Sequence, residues 1–380
     1  MDFQWNEDQE MLRQAVRTFA ERELRPIAFS VEGRGDYPRE IHAKMADMGL
    51  LGMTLPEEYE GGGRTPVDAI MVMEEIGRVD PLAAGIVFGA NFGPIRAVAR
   101  YGTDRQKQKY IPPVCRGESS MSIAITEPTA GSAATELKTR AVQDGDHYVL
   151  NGAKSFISDG DRADAFMVYC RFGEGLEGIG SIIVDRDTPG FTVGKNEPNM
   201  AGTIQNQLFL EDAIVPAENV LIKEDGFRRM MMAFNAERCG NATMSLVTAQ
   251  CAFEKALAYS QERAQFGRPI SEFQGIQWML ADMKVRIDAA RLLIYRAVVN
   301  GEQGFPSRLE AATAKVFSNE MAVEVTNSAL QIFGGYGYSR EYPMEWLVRF
   351  ARGWTIAGGT AQIQRNNVAY ELLKGRDSRP

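Results

Sequence analysis

The sequence predicts a multi-domain α+β protein with an N-terminal α-helical domain, a middle antiparallel β domain and a C-terminal four-helix-bundle domain. Three observations lead there. At 380 residues the chain is too long for a single core. Helical periodicity gives way near Met121 to short β-like runs and returns at Gly226. The segments after Gly226 are long and nearly free of breakers, as in antiparallel helix bundles. These changes of texture set the domains at 1–119, 120–225 and 226–380.

In chain order, Asn6-x-x-Gln9 has the form of a capping box, and Leu12, Val16, Phe19 and Ala20 share one face of the helix it opens. Pro26 ends that helix. Glu60-Gly61-Gly62-Gly63 reads as a loop, followed by helices over Val67 to Val79 and Ala84 to Tyr101. Ser122 to Thr126 is β-like. Thr139 to Asn151 reads as a hairpin about Asp144-Gly145, and strands follow at Ala165 to Cys170, Ser181 to Val184 and Gln207 to Leu210. No G-x-G-x-x-G follows a strand, which excludes a Rossmann unit. Helices then cover Gly226 to Arg263, Phe273 to Asn300 and Pro306 to Phe333, with two shorter ones beyond Pro343 and Thr360.

Hydrophobic residues at 44% and charged residues at 24% are those of an ordinary soluble globular chain. A net charge of −8 without a basic block argues against nucleic acid as the main partner. The first residues carry no signal-peptide pattern, and no uncharged apolar run is long enough to span a membrane. Cys115, Cys170, Cys239 and Cys251 lack CxxC spacing, which fits a reduced, cytoplasmic compartment. The only two histidines, His42 and His147, argue against a zinc enzyme, and a Ser-His-Asp relay lacks its G-x-S-x-G elbow. Acid–base chemistry therefore falls to carboxylates or to a cofactor.

Phe227, Met230, Phe234, Glu237, Asn241 and Met244 recur at steps of three and four and form one stripe of a helix. A carboxylate in so apolar a stripe is desolvated and its pKa rises, which suits a general base. The alternative is that Glu237 sits at the edge of the stripe and pairs with a surface cation. Ile125 to Ser132, where a β run breaks into a turn, offers hydroxyls and backbone amides to an anion or a flavin edge, or is an ordinary turn. Gln331-Ile-Phe-Gly-Gly335 has one glycine more than a helix end needs, and either admits a ligand or is a plain stop. Thr360, after Gly358-Gly359, is placed to cap the last helix, in a linking turn or an anion site. Arg263 closes the longest helix, available to a phosphate or simply solvated.

Together these segments resemble the acyl-CoA dehydrogenase flavoprotein family from Met1 to about Gly375. Thr126-Glu-Pro-x-Ala-Gly-Ser132, Asn151-Gly-x-Lys154, Arg263-x-x-Phe-Gly267, Gln331-x-x-Gly-Gly335 and Gly359-Thr-x-x-Ile-Gln-Arg365 carry the resemblance. It implies the acyl-CoA dehydrogenase fold, a homotetramer, and FAD bound by the β domain and the bundle with an acyl-CoA thioester against the flavin. Ile123, Ile125, Thr126, Phe156 and Ser158 would line the isoalloxazine. Arg263, Gln265, Phe266 and Gln274 would meet the diphosphate and adenosine part of a neighbouring subunit's FAD. Gln331, Gly334 and Gly335 would touch that same adenine-side portion, and Thr360 and Gln362 would complete the flavin site. Ser132 and Arg238 match positions that contact coenzyme A, and Gly358 falls on the substrate side. The family reaction removes the α-proton of the thioester with a carboxylate while hydride passes from the β-carbon to flavin N5, giving a 2-enoyl-CoA. An electron-transfer flavoprotein is the implied acceptor.

Two positions depart from the family pattern. Most members carry the base as glutamate where Gly358 stands, and glycine takes no proton. Isovaleryl-CoA and some long-chain dehydrogenases place it instead just before the CoA-contacting arginine, which here gives Glu237 before Arg238. The stripe and the resemblance thus converge on Glu237 as the base. Phe350 replaces an aspartate common among relatives, and no function attaches to it. Gly358 to Gln362, Ala249 to Glu254 and Gln274 to Trp278 also resemble 3-sulfinopropionyl-CoA desulfinases, which have glutamine at the position of Glu237 and an arginine near that of Gly85. A crotonobetainyl-CoA-reductase-like flavoprotein and a non-catalytic FAD or acyl-CoA binder are further alternatives.

Overall fold

The first helix, α1 (Glu7–Phe19), starts on a reciprocal cap. Asn6 Oδ1 accepts from the Gln9 amide at 2.8 Å, and Gln9 Oε1 accepts from the Asn6 amide at 3.2 Å. A wide turn (Ala20–Leu24) and a tight one (Arg25–Ile27) carry the chain to its stop around Pro26. The computed structural model describes residues 4–30, 37–301 and 305–374. Helices α2 (Arg39–Asp47), α3 (Pro66–Gly77), α4 (Pro81–Phe92), α5 (Ile95–Tyr101) and α6 (Asp104–Cys115) follow.

The single helix expected over Ala84 to Tyr101 is two, because Pro94 lacks the N–H that would continue the ladder. By length and composition Pro81–Tyr101 could cross a membrane, with Arg96 and Arg100 breaking its uncharged run. However, 61% of its most apolar window is buried in the protein and the break at Pro94 interrupts it. Helix α6 tolerates Pro112 and Pro113 and opens on a second capping box, Thr103 with Gln106.

The β region forms one sheet from β1 (Met121–Ala124), β2 (Arg140–Asp144), β3 (His147–Ser158), β4 (Ala165–Arg171), β5 (Ile179–Asp185), β6 (Phe191–Val193), β7 (Glu197–Pro198), β8 (Ile204–Pro216) and β9 (Val220–Ile222). Its path is β6-β8-β3-β2-β4-β5-β9, with β1 on β4 and β7 on β8. The sheet is mainly antiparallel, as expected, but β4 lies parallel to both β1 and β2. Those pairings join strands distant in sequence, which turn signals do not reveal. The β2–β3 hairpin turns through Gly145 at φ +60, the first residue of a two-residue loop, where glycine fits without strain. Leu150, Phe166, Val168, Ile182 and Leu208 form the centre of the sheet's core.

Helix α7 (Gly226–Glu262) runs for 37 residues without a proline. From Arg238 to Ala249 every residue is buried, so its middle is packed on all sides. A two-strand turn, β10 (Ala264–Gln265) and β11 (Arg268–Pro269), leads to α8 (Gln274–Val299) and α9 (Arg308–Phe333). Helices α10 (Gly335–Tyr338), α11 (Met344–Trp354) and α12 (Ala361–Leu373) complete the chain, and α9 packs against α8, α11 and α12.

The chain divides into two compact units: Met1–Ser30, Pro66–Gly85 and Asn235–Pro380 form one, and Val31–Thr65 with Ile86–Phe234 the other. In the first, buried Glu75 of α3 gathers Arg17 at 2.9 Å and Arg78 at 3.5 Å, while Glu74 takes Arg291 at 2.7 Å. In the second, Asp185 at the end of β5 receives Lys109 at 2.7 Å and the Tyr110 hydroxyl at 3.0 Å, both from α6.

Candidate active site

The stripe on α7 is buried as its period requires: Met230, Asn241 and Met244 are covered, and Glu237 is half-buried among them. Loss of solvent pushes the Glu237 carboxyl up from 4.5 to about 7, against the weaker opposing pull of Arg238 and Lys315. Those two cations are themselves buried, so Glu237 is not a surface carboxylate with a surface partner. Arg238 donates to Asn235 Oδ1 at 2.6 Å, and Asn235 to the Pro306 carbonyl at 3.0 Å. Burial lowers the Arg238 guanidinium to about 10.

Lys315 enters from α9, on the buried face it shares with Ala311, Ala314, Ser318 and Ala322. Its ammonium donates to the carbonyls of Ala357 at 2.9 Å and Trp354 at 3.2 Å, and burial brings it down to about 7. One turn further along α9, Asn319 donates to Asn241 Oδ1 at 3.1 Å and also to the Trp354 carbonyl, while Ser245 donates to Asn319 Oδ1 at 3.1 Å. Asn241 in turn reaches the Ala357 carbonyl at 3.4 Å. The Trp354 carbonyl at the end of α11 is thus bound by side chains of α9, and the Ala357 carbonyl in the turn after it by side chains of α7 and α9.

The turn so held carries Gly358 at φ +64 and Gly359 at φ +89, a left-handed pair that favours glycine. A Cβ at Gly358 would lie 3.4 Å from Asn241 Nδ2 and 3.7 Å from Lys315 Cε. Gly358 therefore faces the level of α7 one turn beyond Glu237. Thr360 caps α12, accepting from the Ile363 amide at 3.2 Å, and Gln362 is exposed in the first turn.

The other candidates fall in separate places. In the β unit, Ile123 lies on β1, Ile125 and Thr126 just past it, and Phe156 and Ser158 at the end of β3. Ser155 N–H donates to the Thr126 carbonyl at 2.9 Å and Ser122 Oγ to the Ser158 carbonyl at 2.8 Å, which brings these residues together. Ser132 is exposed in the loop after them. At the far end of α7, Arg263, Gln265, Phe266 and Gln274 are all exposed around the β10–β11 turn. The Arg263 guanidinium lies 5.8 Å from the Tyr336 ring, beside Gly334 and Gly335 where α9 ends, with Gln331 on its last turn. Roughly 39 Å of helix separates Glu237 from Arg263, so the structure does not bring them to one reacting centre. Lys315, Asn319 and the buried Lys154–Glu127 pair went unread in the sequence. The one signal for Lys315 was a lysine at the period of an alanine-rich buried face.

Models of the acyl-CoA dehydrogenase N-terminal, middle and C-terminal domains match residues 6–118, 122–213 and 224–373. The chain belongs to the acyl-CoA dehydrogenase family. A short-chain-specific acyl-CoA dehydrogenase of Clostridium acetobutylicum is 38% identical over 98% of this chain and 100% of the relative. A 3-sulfinopropanoyl-CoA desulfinase of Paraburkholderia xenovorans is 41% identical over 98% of this chain and 97% of its own. The solved butyryl-CoA dehydrogenase of Megasphaera elsdenii superposes with a TM-score of 0.93 at 36% identity, covering 98% of this chain and all of the other. The family comprises flavin-dependent oxidoreductases that act on the CH–CH bond of acyl-CoA thioesters.

The residues present fit a flavin. Phe156 and Phe266 are 68% and 93% exposed and take φ of +58 and +50, so the backbone at both is held in a left-handed form that bulky residues seldom adopt. Exposed aromatic rings on such turns suit a planar cofactor, and strain of this kind collects at ligand sites. Among the described residues no three His, Cys, Asp or Glu side chains gather where a metal ion could be held.

Proposed function

We propose that this acyl-CoA dehydrogenase uses Glu237 as the base that removes the α-proton of the thioester, with FAD as the flavin. The supporting observation is a half-buried carboxyl near pKa 7 on α7, at the level of the turn in which Gly358 supplies no carboxylate. A base whose pKa lies near the working pH combines an available lone pair with enough basicity to take the proton. FAD, when bound, would supply the hydride acceptor. Glu237 holds the α-proton it receives, and burial stabilises the resulting neutral acid. Arg238 and Ser132 are assigned to coenzyme A, Thr126 and Phe156 to the flavin ring, and Thr360 and Gln362 to the same cofactor. Backbone donors that bind the thioester carbonyl would make the α-proton acidic.

A homotetramer is the assembly that fits best. On α8, Trp278, Val285, Leu292 and Val299 are exposed at seven-residue steps, an apolar seam of the kind helices bury against one another. An electron-transfer flavoprotein remains the acceptor that the family implies. Four free cysteines, all buried, support a reduced, cytoplasmic setting.

The desulfinase reading ranks second. It calls for a cation near position 85, where Gly85 carries no side chain and a Cβ would lie 3.8 Å from the methyl of Met244. Gly85 itself supplies no cation for an anionic sulfinate. The deciding experiment mixes the purified holoenzyme anaerobically with straight, branched and dicarboxylic acyl-CoA thioesters. Bleaching of the flavin band supports dehydrogenation. An oxidised flavin across the whole panel, with sulfite released from 3-sulfinopropanoyl-CoA, would favour the desulfinase.

A further inference from the structure

The Asn151-Gly152-x-Lys154 motif takes no part in the chemistry described so far, yet Lys154 is wholly buried. Its three ammonium hydrogens go to the Ile125 carbonyl at 3.1 Å, Glu127 Oε1 at 2.8 Å and the Tyr169 carbonyl at 2.6 Å. Glu127 also accepts from the Thr139 amide at 2.9 Å, the Thr139 hydroxyl at 2.6 Å and the Lys138 amide at 2.6 Å. One ion pair therefore ties together the segment after β1, the entry to β2, the middle of β3 and the end of β4. Gly152 makes this possible, because a Cβ there would lie 2.4 Å from Thr139 Oγ1.

The pair sits beside an irregularity in β3. The β3–β8 register slips between Lys154 and Ile157, and Phe156 within that slip takes φ +58 with its ring exposed. Ser155 N–H leaves the ladder to bond the Thr126 carbonyl at 2.9 Å, so the slip also fixes Thr126. A left-handed phenylalanine persists only where its surroundings over-determine it. Lys154 and Glu127 provide that constraint, one two residues before Phe156 and the other immediately after Thr126.

We infer that Lys154 is a positioning residue which, paired with Glu127, fixes the β3 irregularity so that Thr126 and Phe156 present a preformed edge to the flavin. This rests on the reading that the flavin lies against those two residues. A buried ion pair is a poor source of stability compared with apolar packing of the same volume. What it does supply here is a single arrangement of four chain segments.

The test uses the full chain, stripped of flavin and titrated with FAD, with affinity read from fluorescence, the environment of the ring from the bound absorption spectrum, and folding from the circular dichroism melt. The double variant Glu127→Gln/Lys154→Met removes both charges and leaves neither uncompensated. It is expected to melt cooperatively, to bind FAD at least tenfold more weakly, and to shift the absorption band of the fraction that binds. Thr139→Val, which deletes one donor to Glu127 without changing charge, is expected to weaken FAD about threefold. A purely structural role would lower the melting temperature and leave the spectrum and affinity of the folded protein alone. A folded double variant with affinity within twofold of wild type and an unchanged spectrum overturns the inference. If the double variant does not fold, unchanged affinity and spectrum in Thr139→Val overturn it instead. Wild type that takes up no FAD removes the underlying reading as well, whereas wild type bleached by acyl-CoA beside unaffected variants removes the positioning role alone.

Discussion

Replacing Glu237 with glutamine keeps the shape of the side chain and deletes its ability to accept a proton. With the carboxyl at about 7, roughly a tenth is ionised at pH 6 and roughly nine tenths at pH 8. If proton removal governs the reaction, kcat/KM for flavin bleaching by an acyl-CoA should rise about tenfold across that interval, since kcat/KM reports the free enzyme. A carboxyl at its ordinary 4.5 would be almost wholly ionised by pH 6 and give a flat profile. In Glu237→Gln the rate should fall by roughly 10²- to 10⁴-fold, the span associated with a general base, and its pH dependence should vanish. Anaerobic stopped-flow measurement of flavin absorbance from pH 6 to 8 reads both quantities. A wild-type profile that is flat over this range, or a glutamine variant within tenfold of wild type, would show that Glu237 is not the base.

Stability should follow the same carboxyl. Its pKa is raised on folding, so its contribution is fully present below the unfolded value of 4.5 and is lost as pH rises through about 7. Glu237→Gln should therefore be more stable than wild type at pH 8, by up to about 3 kcal/mol, with the difference closing towards pH 4.5 in urea melts. Lys315→Met removes a cation that pulls Glu237 down, so the midpoint of the pH–rate profile should move above 7; a midpoint that stays or falls contradicts the coupling. Gly77→Ala would set a Cβ 2.4 Å from Val247 Cβ where α3 meets α7, and should cost about 1–3 kcal/mol by chemical denaturation.

The sequence revealed what local physics determines. The Asn6–Gln9 box, the turn at Gly145 and the Thr360 cap each involve residues within three or four positions, and each is present as read. The Glu237 stripe was legible for the same reason, since helical period alone aligns Phe234, Asn241 and Met244 beside it. The split at Pro94 was missed because apolar residues on both sides masked a single absent N–H. The parallel partners of β4 and the Lys154–Glu127 pair are contacts between residues far apart in sequence, which leave no mark in any short window. Lys315 meets Glu237 across 78 positions, and composition cannot say which buried lysine faces which acid.

Relatives at 38% and 41% identity that are named for different reactions cannot distinguish dehydrogenation from desulfination by similarity alone. The distinction lies in charge placement on a few helix turns. A desulfinase substrate carries an extra anion that a fixed cation would bind, whereas Gly85 supplies no charge, and Lys315 already spends two of its hydrogens on the carbonyls of Trp354 and Ala357. Dehydrogenation needs instead a buried acceptor for one proton, and Glu237 is desolvated enough to hold that proton near neutral pH. Glutamine at 237 would hydrogen-bond an acyl group but could never take its proton. With Glu237 as the proposed base, the identity of that one side chain would separate the two chemistries on an otherwise shared scaffold.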